Sequence, residues 1–317
     1  MKSTSASHGK ALEQMQAVPS QLSAITPTPL LEEIRRGGPL AALFQRAAGA
    51  QSDAARQLLG QRKAVDLLEK LMDDVRERQQ QGTRANSLTV LHECAAGCTA
   101  CCRASLVEVT PLEALAIASY LKEKCNEVEL HRLKLQLQAN AEQRAQWRAG
   151  TSTGAVLACA FLGEDGLCQA YEARPLVCAG VFSFSRAACQ ISQPGPSETN
   201  VPLDRSAKAW TLGISGGLQR ALVAAGLDGN IYELHSIVLR ALEVEDAFQR
   251  WLKCEDIFAG CHCTDAHSAP RKAAPSKPAG TQWRLDRSHT LKQNSNDLPL
   301  LEKKRVDRKR EKHSRKS

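Results

Sequence analysis

Four of the twelve cysteines fall within nine residues, in the run Cys94-Ala-Ala-Gly-Cys98-Thr-Ala-Cys101-Cys102. Thiolates are soft donors. Small residues and Gly97 between them let the backbone curl so that several sulfurs face one point. Short-spaced cysteines grip a tetrahedral zinc or the irons of a cluster in this way. Cys101 and Cys102 are adjacent, so their side chains diverge. Both reach one centre only where the backbone bends sharply; otherwise one is a ligand and the other packs or serves a second metal. A second group follows at Cys159, Cys168 and Cys178. Gly163, Glu164, Asp165 and Gly166 form a polar turn that folds Cys168 back toward Cys159. Pro175 fixes one backbone angle and biases Arg174 to an extended conformation, which aims Cys178. The guanidinium of Arg174 is permanently charged and suited to donate to a thiolate-rich centre.

A third group holds Cys254, Cys261, His262 and Cys263, with His267 nearby. Cys261 is its expected contributor to a metal site. The candidate metal ligands are therefore Cys94, Cys98, Cys101, Cys102, Cys159, Cys168, Cys178 and Cys261. The isolated Cys125 reads as a buried, inert thiol. No His/Asp arrangement beside a cysteine marks a nucleophile. Zinc and iron–sulfur clusters both accept four thiolates. The surplus over four favours an iron–sulfur cluster, or two metals, over one structural zinc.

The order of these elements resembles the cysteine-cluster family of zinc- or iron-chelating domains, which includes the flagellin lysine-N-methylases. The resemblance is carried by Cys98-Thr-Ala-Cys101-Cys102, Val107-Glu108-Val109-Thr110, Glu113-Ala114, Cys159-Ala-Phe-Leu, Gly166-Leu-Cys168 and Tyr171-Glu-Ala-Arg174-Pro175-Leu-Val-Cys178. It spans about residues 90–185. The Cys94 to Cys98 spacing is one residue longer than a common family form. Ala179 stands where many relatives have Arg. The resemblance implies a metal site with zinc or iron as the metal, and protein-lysine methylation as a family-level activity. No Gly-rich loop on a strand–helix unit supports a Rossmann-like methyl-donor site.

The elements that must position these thiols read as helices. Ala, Leu and Gln recur and aromatics make up only 4% of the chain, a mixture that favours helix over sheet. Leu58, Val65, Leu68, Met72 and Val75 make one apolar stripe within a helical stretch over residues 30–81, closed by Gly82. Thr110, Pro111 and Glu113 spell an N-cap, a first-turn proline and a capping box. That helix is expected to run through Leu112, Leu115, Ile117 and Leu121 toward about Gln138, with a second stretch to Trp147. Further helices are expected over 207–225, 231–243 and 244–254, with a turn at Asp228-Gly229-Asn230. The expected fold is mainly α: a helical body around a loop-built cysteine-rich site. Its parts are a disordered N-terminus (1–29), a helical region (30–89), the cysteine-cluster domain (90–190), a C-terminal helical part of the same body (191–263) and a disordered basic tail (264–317).

The net charge of +8 belongs to that tail. From Arg271 onward there are 15 Lys/Arg and 5 Asp/Glu, which leaves the first 270 residues at a net of −2. Residues 302–317 hold nine basic and three acidic residues. Such a run binds nucleic acid through counterion release or is simply a solvated terminus, and without interleaved aromatics base stacking is not supported. No apolar run has the length of an export signal or a membrane span. A cytoplasmic location is the expectation, and a reducing compartment keeps thiols available as ligands. Three functions follow: a metal or cluster module with a structural or redox-sensing role, a lysine-methylating enzyme that contains the cluster, or a nucleic-acid-associated protein with a structural metal.

Overall fold

The computed structural model describes residues 29–61, 66–86, 91–104, 106–149, 151, 157–191 and 201–261. The expectations for residues 1–28, Val65, His262, Cys263, His267 and the basic tail lie outside the described residues. The fold is mainly α, with eleven helices among the described residues and one pair of two-residue strands. No helix among the described residues is long and apolar enough to cross a membrane.

The stretch expected as helical over 30–81 is three helices: α1 (Pro29–Arg36), α2 (Pro39–Leu59) and α3 (Leu67–Asn86). Met72 and Val75 of the apolar stripe are buried, and Leu58 and Leu68 pack partly buried against the same core. Gly82 does not stop the helix, because α3 continues to Asn86. It makes room for an indole ring instead. A Cβ at Gly82 would lie 1.8 Å from Cε2 of Trp210, whose Nε1 donates to the Arg78 carbonyl at 3.0 Å.

Trp210 belongs to a long C-terminal helix (Arg205–Ala224), numbered α9 in chain order. Asp204 caps it by accepting from Ala207 N at 2.9 Å. It packs along α2 and against α3. Buried Ala47, Ala48, Ala55, Ala209 and Ala221 keep that contact thin.

The other half of the core is α5 (Pro111–Lys124), α6 (Glu127–Arg148), α10 (Leu234–Glu243) and α11 (Ala247–Leu252). α10 packs against both α5 and α6. The capping box at the start of α5 is present: Thr110 Oγ1 accepts from Glu113 N, and Glu113 Oε2 accepts from Thr110 N at 2.9 Å. The helix ends at Lys124, not near Gln138. A second reciprocal cap explains the break, for Asn126 Oδ1 accepts from Glu129 N and Glu129 Oε2 accepts from Asn126 N, both at 3.0 Å. Such a cap starts a new helix wherever it falls.

The strands β1 (Glu108–Val109) and β2 (Tyr232–Glu233) pair antiparallel, with Glu108 opposite Glu233 and Val109 opposite Tyr232. This pairing holds the helix expected from Ile231 back to Leu234. It also ties the start of α5 to the start of α10. Three short helices complete the described fold: α4 (Ala100–Ala104), α7 (Leu176–Ala179) and α8 (Arg186–Ile191). All three lie in the cysteine-rich region.

Candidate metal centre

The first cysteine loop is shaped locally. Cys98 N donates to the Ala95 carbonyl at 3.0 Å, and Gly97 takes the left-handed conformation (φ 76°) that this turn requires. α4 then carries Cys101 and Cys102 side by side. Directly after it, β1 and the capped α5 anchor the loop to the core.

The second loop meets the first through the backbone. Cys159 N donates to the Cys102 carbonyl at 2.8 Å. The expected polar turn closes with Gly163 N on the Leu167 carbonyl at 2.8 Å and Leu167 N on Asp165 Oδ1 at 2.9 Å. It brings Leu162 opposite Cys168. Pro175 then starts α7. The Leu176 N–H is accepted by Glu113 Oε1 at 2.9 Å, which fixes the short helix carrying Cys178. Arg174 lies over the Tyr171 ring, 4.2 Å from its centroid, and its charge acts to lower the Cys168 thiol against burial.

The thiols feel one another. Cys102 is influenced by Cys159, Cys178 and Cys168, and Cys178 by Cys159, Cys101 and Cys168. Cys94, Cys101 and Cys178 are exposed, while Cys98, Cys102, Cys159 and Cys168 are half-buried. Burial pushes the Cys159 thiol up to about 11 and raises Cys94, Cys168 and Cys178. Cys101 donates to the Cys102 sulfur, which holds Cys101 up and Cys102 down. Without a cation most of these groups stay protonated. A cation that binds must displace those protons, so affinity rises with pH.

Beneath the Cys159 loop lies a buried charged cluster that sequence reading did not single out. The side chains of Arg144, Glu233 and His235 are each 1% exposed. His235 Nε2 accepts from Ala160 N at 3.3 Å, so Nδ1 carries the ring proton and donates to Glu233 Oε1 at 2.6 Å. Arg144 Nε is 3.7 Å from the same oxygen, and Nη2 donates to the Leu157 carbonyl at 3.1 Å. Burial lowers His235 and keeps it neutral. Burial also pushes the Glu233 carboxyl up, but hydrogen bonds from His235 and from the Ser236 and His235 backbone bring it below its usual value. In the sequence only Glu233 and His235, set among the apolar residues of 231–238, hint at the cluster, and Arg144 lies far from them along the chain.

Cys261 is placed differently. Its sulfur points at the Ser236 carbonyl at 3.8 Å. Burial raises it to about 11, and the charges acting on it belong to Arg240, Glu243, Asp256 and Asp228. The structure does not set it among the other seven candidates. Cys254 donates to the Gly226 carbonyl at 3.2 Å, and Cys125 caps the end of α5. Cys189, which the spacing argument passed over, lies near Cys94 and contributes to raising it.

Among the described residues, no three His, Cys, Asp or Glu side chains stand in an array ready to hold a metal ion. The two cysteine loops are joined through the backbone, and their thiols influence one another. As a donor set they fit a thiolate-bound metal: soft ligands from two loops, joined backbone to backbone and backed by buried polar groups. These features define a loop-built, cysteine-rich metal-chelating domain on a helical scaffold. Residues 93–194 match the model of the CxxCxxCC family, described as "Putative zinc- or iron-chelating domain". No curated protein and no solved structure matches the chain.

Proposed function

We propose that the chain holds a metal through thiolates drawn from Cys94, Cys98, Cys101, Cys102, Cys159, Cys168 and Cys178, and that this metal fastens the two cysteine loops and makes their order depend on redox state. The observation that carries the reading is the bond from Cys159 N to the Cys102 carbonyl. It puts two segments far apart in sequence into direct register with sulfurs on both. These loops bury few large apolar side chains of their own, so a bound metal adds stability that hydrophobic packing does not supply there. Oxidation of the thiolates would release it. The reading calls for a reducing compartment such as the cytoplasm.

Both zinc and an iron–sulfur cluster suit the donors, and the surplus of thiols over four favours the cluster or more than one metal. The deciding experiment is anaerobic purification of the full chain, followed by absorption spectroscopy and analysis for zinc, iron and acid-labile sulfide. Brown protein with iron and sulfide identifies a cluster, and colourless protein with stoichiometric zinc identifies zinc. Protein that carries neither metal and takes up neither after reduction would sink the proposal.

A further inference from the structure

We infer that Gln79 is a positioning residue of the cysteine site: from α3, outside residues 93–194, it fixes the far end of α7 and with it the place of Cys178. This rests on the thiolate reading above for the role of Cys178, not for its support.

α7 is a single turn of four residues. So short a helix does not hold its own shape, and its ends depend on neighbours. Its bonds run from Ala179 N to the Pro175 carbonyl and from Gly180 N to the Leu176 carbonyl, both at 2.9 Å. Glu113 Oε1 holds the first end by accepting from Leu176 N. At the other end Gln79 Nε2 donates to the Ala179 carbonyl at 3.3 Å. That carbonyl belongs to the last turn, where a helix supplies no acceptor partner of its own. The same Nε2 reaches Thr83 Oγ1 at 3.2 Å and Thr211 Oγ1 at 3.4 Å.

Gln79 is itself firmly placed. Of the consecutive Gln79, Gln80 and Gln81, only Gln79 is buried. One residue before it, the Arg78 carbonyl accepts from Trp210 Nε1 at 3.0 Å. One turn after it, Gly82 gives the indole its space. Thr211 follows Trp210 and is pressed against the end of α7, so that a Cβ at Gly180 would run into Thr211 Oγ1. α3, α9 and α7 therefore meet at Gln79, and the end of α7 takes its rigidity from the joint between the two long helices. Cys178 is exposed, so the backbone of α7 sets its place more than packing of its own side chain does. A thiol held in this way binds without first ordering its segment. The helices on either side of the cysteine-bearing residues are thus part of the site's construction.

The test measures hydrogen exchange in the reduced, metal-free full chain. Gln79→Met keeps length and bulk but has no donor. Its Ala179 and Gly180 amides are expected to exchange about tenfold faster, as loss of one hydrogen bond allows, while the Cys125 amide at the end of α5 keeps its wild-type rate. Thr211→Val keeps the bulk against Gly180 and the bond from Gln79 to the Ala179 carbonyl, and is expected to leave α7 near wild type. Gly180→Ala pushes on Thr211 from the other side and is expected to give the same fast exchange, which keeps the test open if circular dichroism shows Gln79→Met unfolded. Each chain is then titrated with Co2+ alone, following the thiolate-to-cobalt charge-transfer band. Gln79→Met is expected to weaken that band in the direction that C178S does, and Thr211→Val to leave it unchanged. Wild-type exchange at Ala179 and Gly180 in the folded variants, or equally fast exchange in Thr211→Val, overturns the positioning role and leaves the thiolate reading standing. Fast exchange with an unchanged cobalt band in Gln79→Met overturns it as well. A wild type that gives no band overturns the thiolate reading itself, whatever the exchange shows.

Discussion

Glu113 Oε1 accepts the Leu176 N–H at 2.9 Å while Oε2 of the same carboxylate accepts Thr110 N and Thr110 Oγ1 at 2.9 and 2.8 Å. One buried side chain thus caps the helix that follows the first cysteine loop and the short helix that carries Cys178. Glu113→Ala leaves buried donors at both sites without an acceptor. Each such loss costs about 1–3 kcal/mol, so urea denaturation is expected to show about 2–5 kcal/mol of destabilisation. Metal affinity is expected to fall with it, because α7 is no longer fixed. Glu113→Gln keeps one acceptor oxygen and is expected to fall between. Equal stability of Glu113→Ala and wild type would show that the bridge contributes nothing.

The buried pair of Glu233 and His235 predicts a dependence on acid. Both groups have lowered pKa values in the fold, so the unfolded chain binds more protons than the folded one as pH falls. Their contribution is complete above about pH 6.5, the unfolded value for histidine. It declines as pH drops through the lowered folded values of the pair. Protonated His235 has no lone pair left for Ala160 N, so the Cys159 loop loosens at the same time. Denaturation of the reduced, metal-free chain at pH 7.5 and 5.5 reads the effect. Glu233→Gln with His235→Gln together is expected to flatten the slope over that range. An unchanged slope in the double variant would assign the acid sensitivity elsewhere.

Part of this arrangement was legible beforehand, and the division has a physical basis. The capping box at Thr110 and Glu113 and the polar turn at residues 163–166 are encoded by residues a few positions apart, so local chemistry suffices to find them. The second partner of Glu113 is Leu176, and nothing in the neighbourhood of either residue announces the other. The break at Cys125 was present in the spacing of Asn126 and Glu129, a second cap masked by the apolar residues on both sides. Cys189 stands alone in its segment, with no short spacing to mark it. Its relation to Cys94 exists only because Glu93 and Ser183 lie in register. Gly82 shows the opposite error: a residue common at helix ends occurs inside α3 because an indole ring needs the space.

That space gives a direct test of core packing. Gly82→Val places branched carbon where the Trp210 ring now lies, since the first added atom would already be 1.8 Å from Cε2. Trp210 must turn out, and its hydrogen bond to the Arg78 carbonyl is lost. Overpacking of this kind costs about 1–3 kcal/mol. The tryptophan emission of the folded variant is also expected to shift to longer wavelength as the indole meets water. A variant with wild-type stability and emission would mean that α3 and α9 separate freely, which the packing of α9 along both α2 and α3 argues against.

Removal of the metal should be readable in the thiols themselves. Cys94, Cys101 and Cys178 are exposed, so under the proposed function ligation would protect them from alkylation. In metal-loaded protein they are expected to resist iodoacetamide. After chelation they should become labelled, with Cys102, whose thiol is held down, ahead of Cys101, whose thiol is held up. Cys125, at the end of α5, should label equally in both states. Labelling of the raised thiols should quicken as pH increases, because the thiolate is the reactive form. Cys178→Ser sharpens the point, since its exposed side chain makes it nearly neutral in metal-free protein, within about 0.5 kcal/mol. It is expected to be strongly destabilising only when metal is present to be lost. Peptide mass spectrometry that finds the same labelling with and without chelator would show that these sulfurs hold nothing.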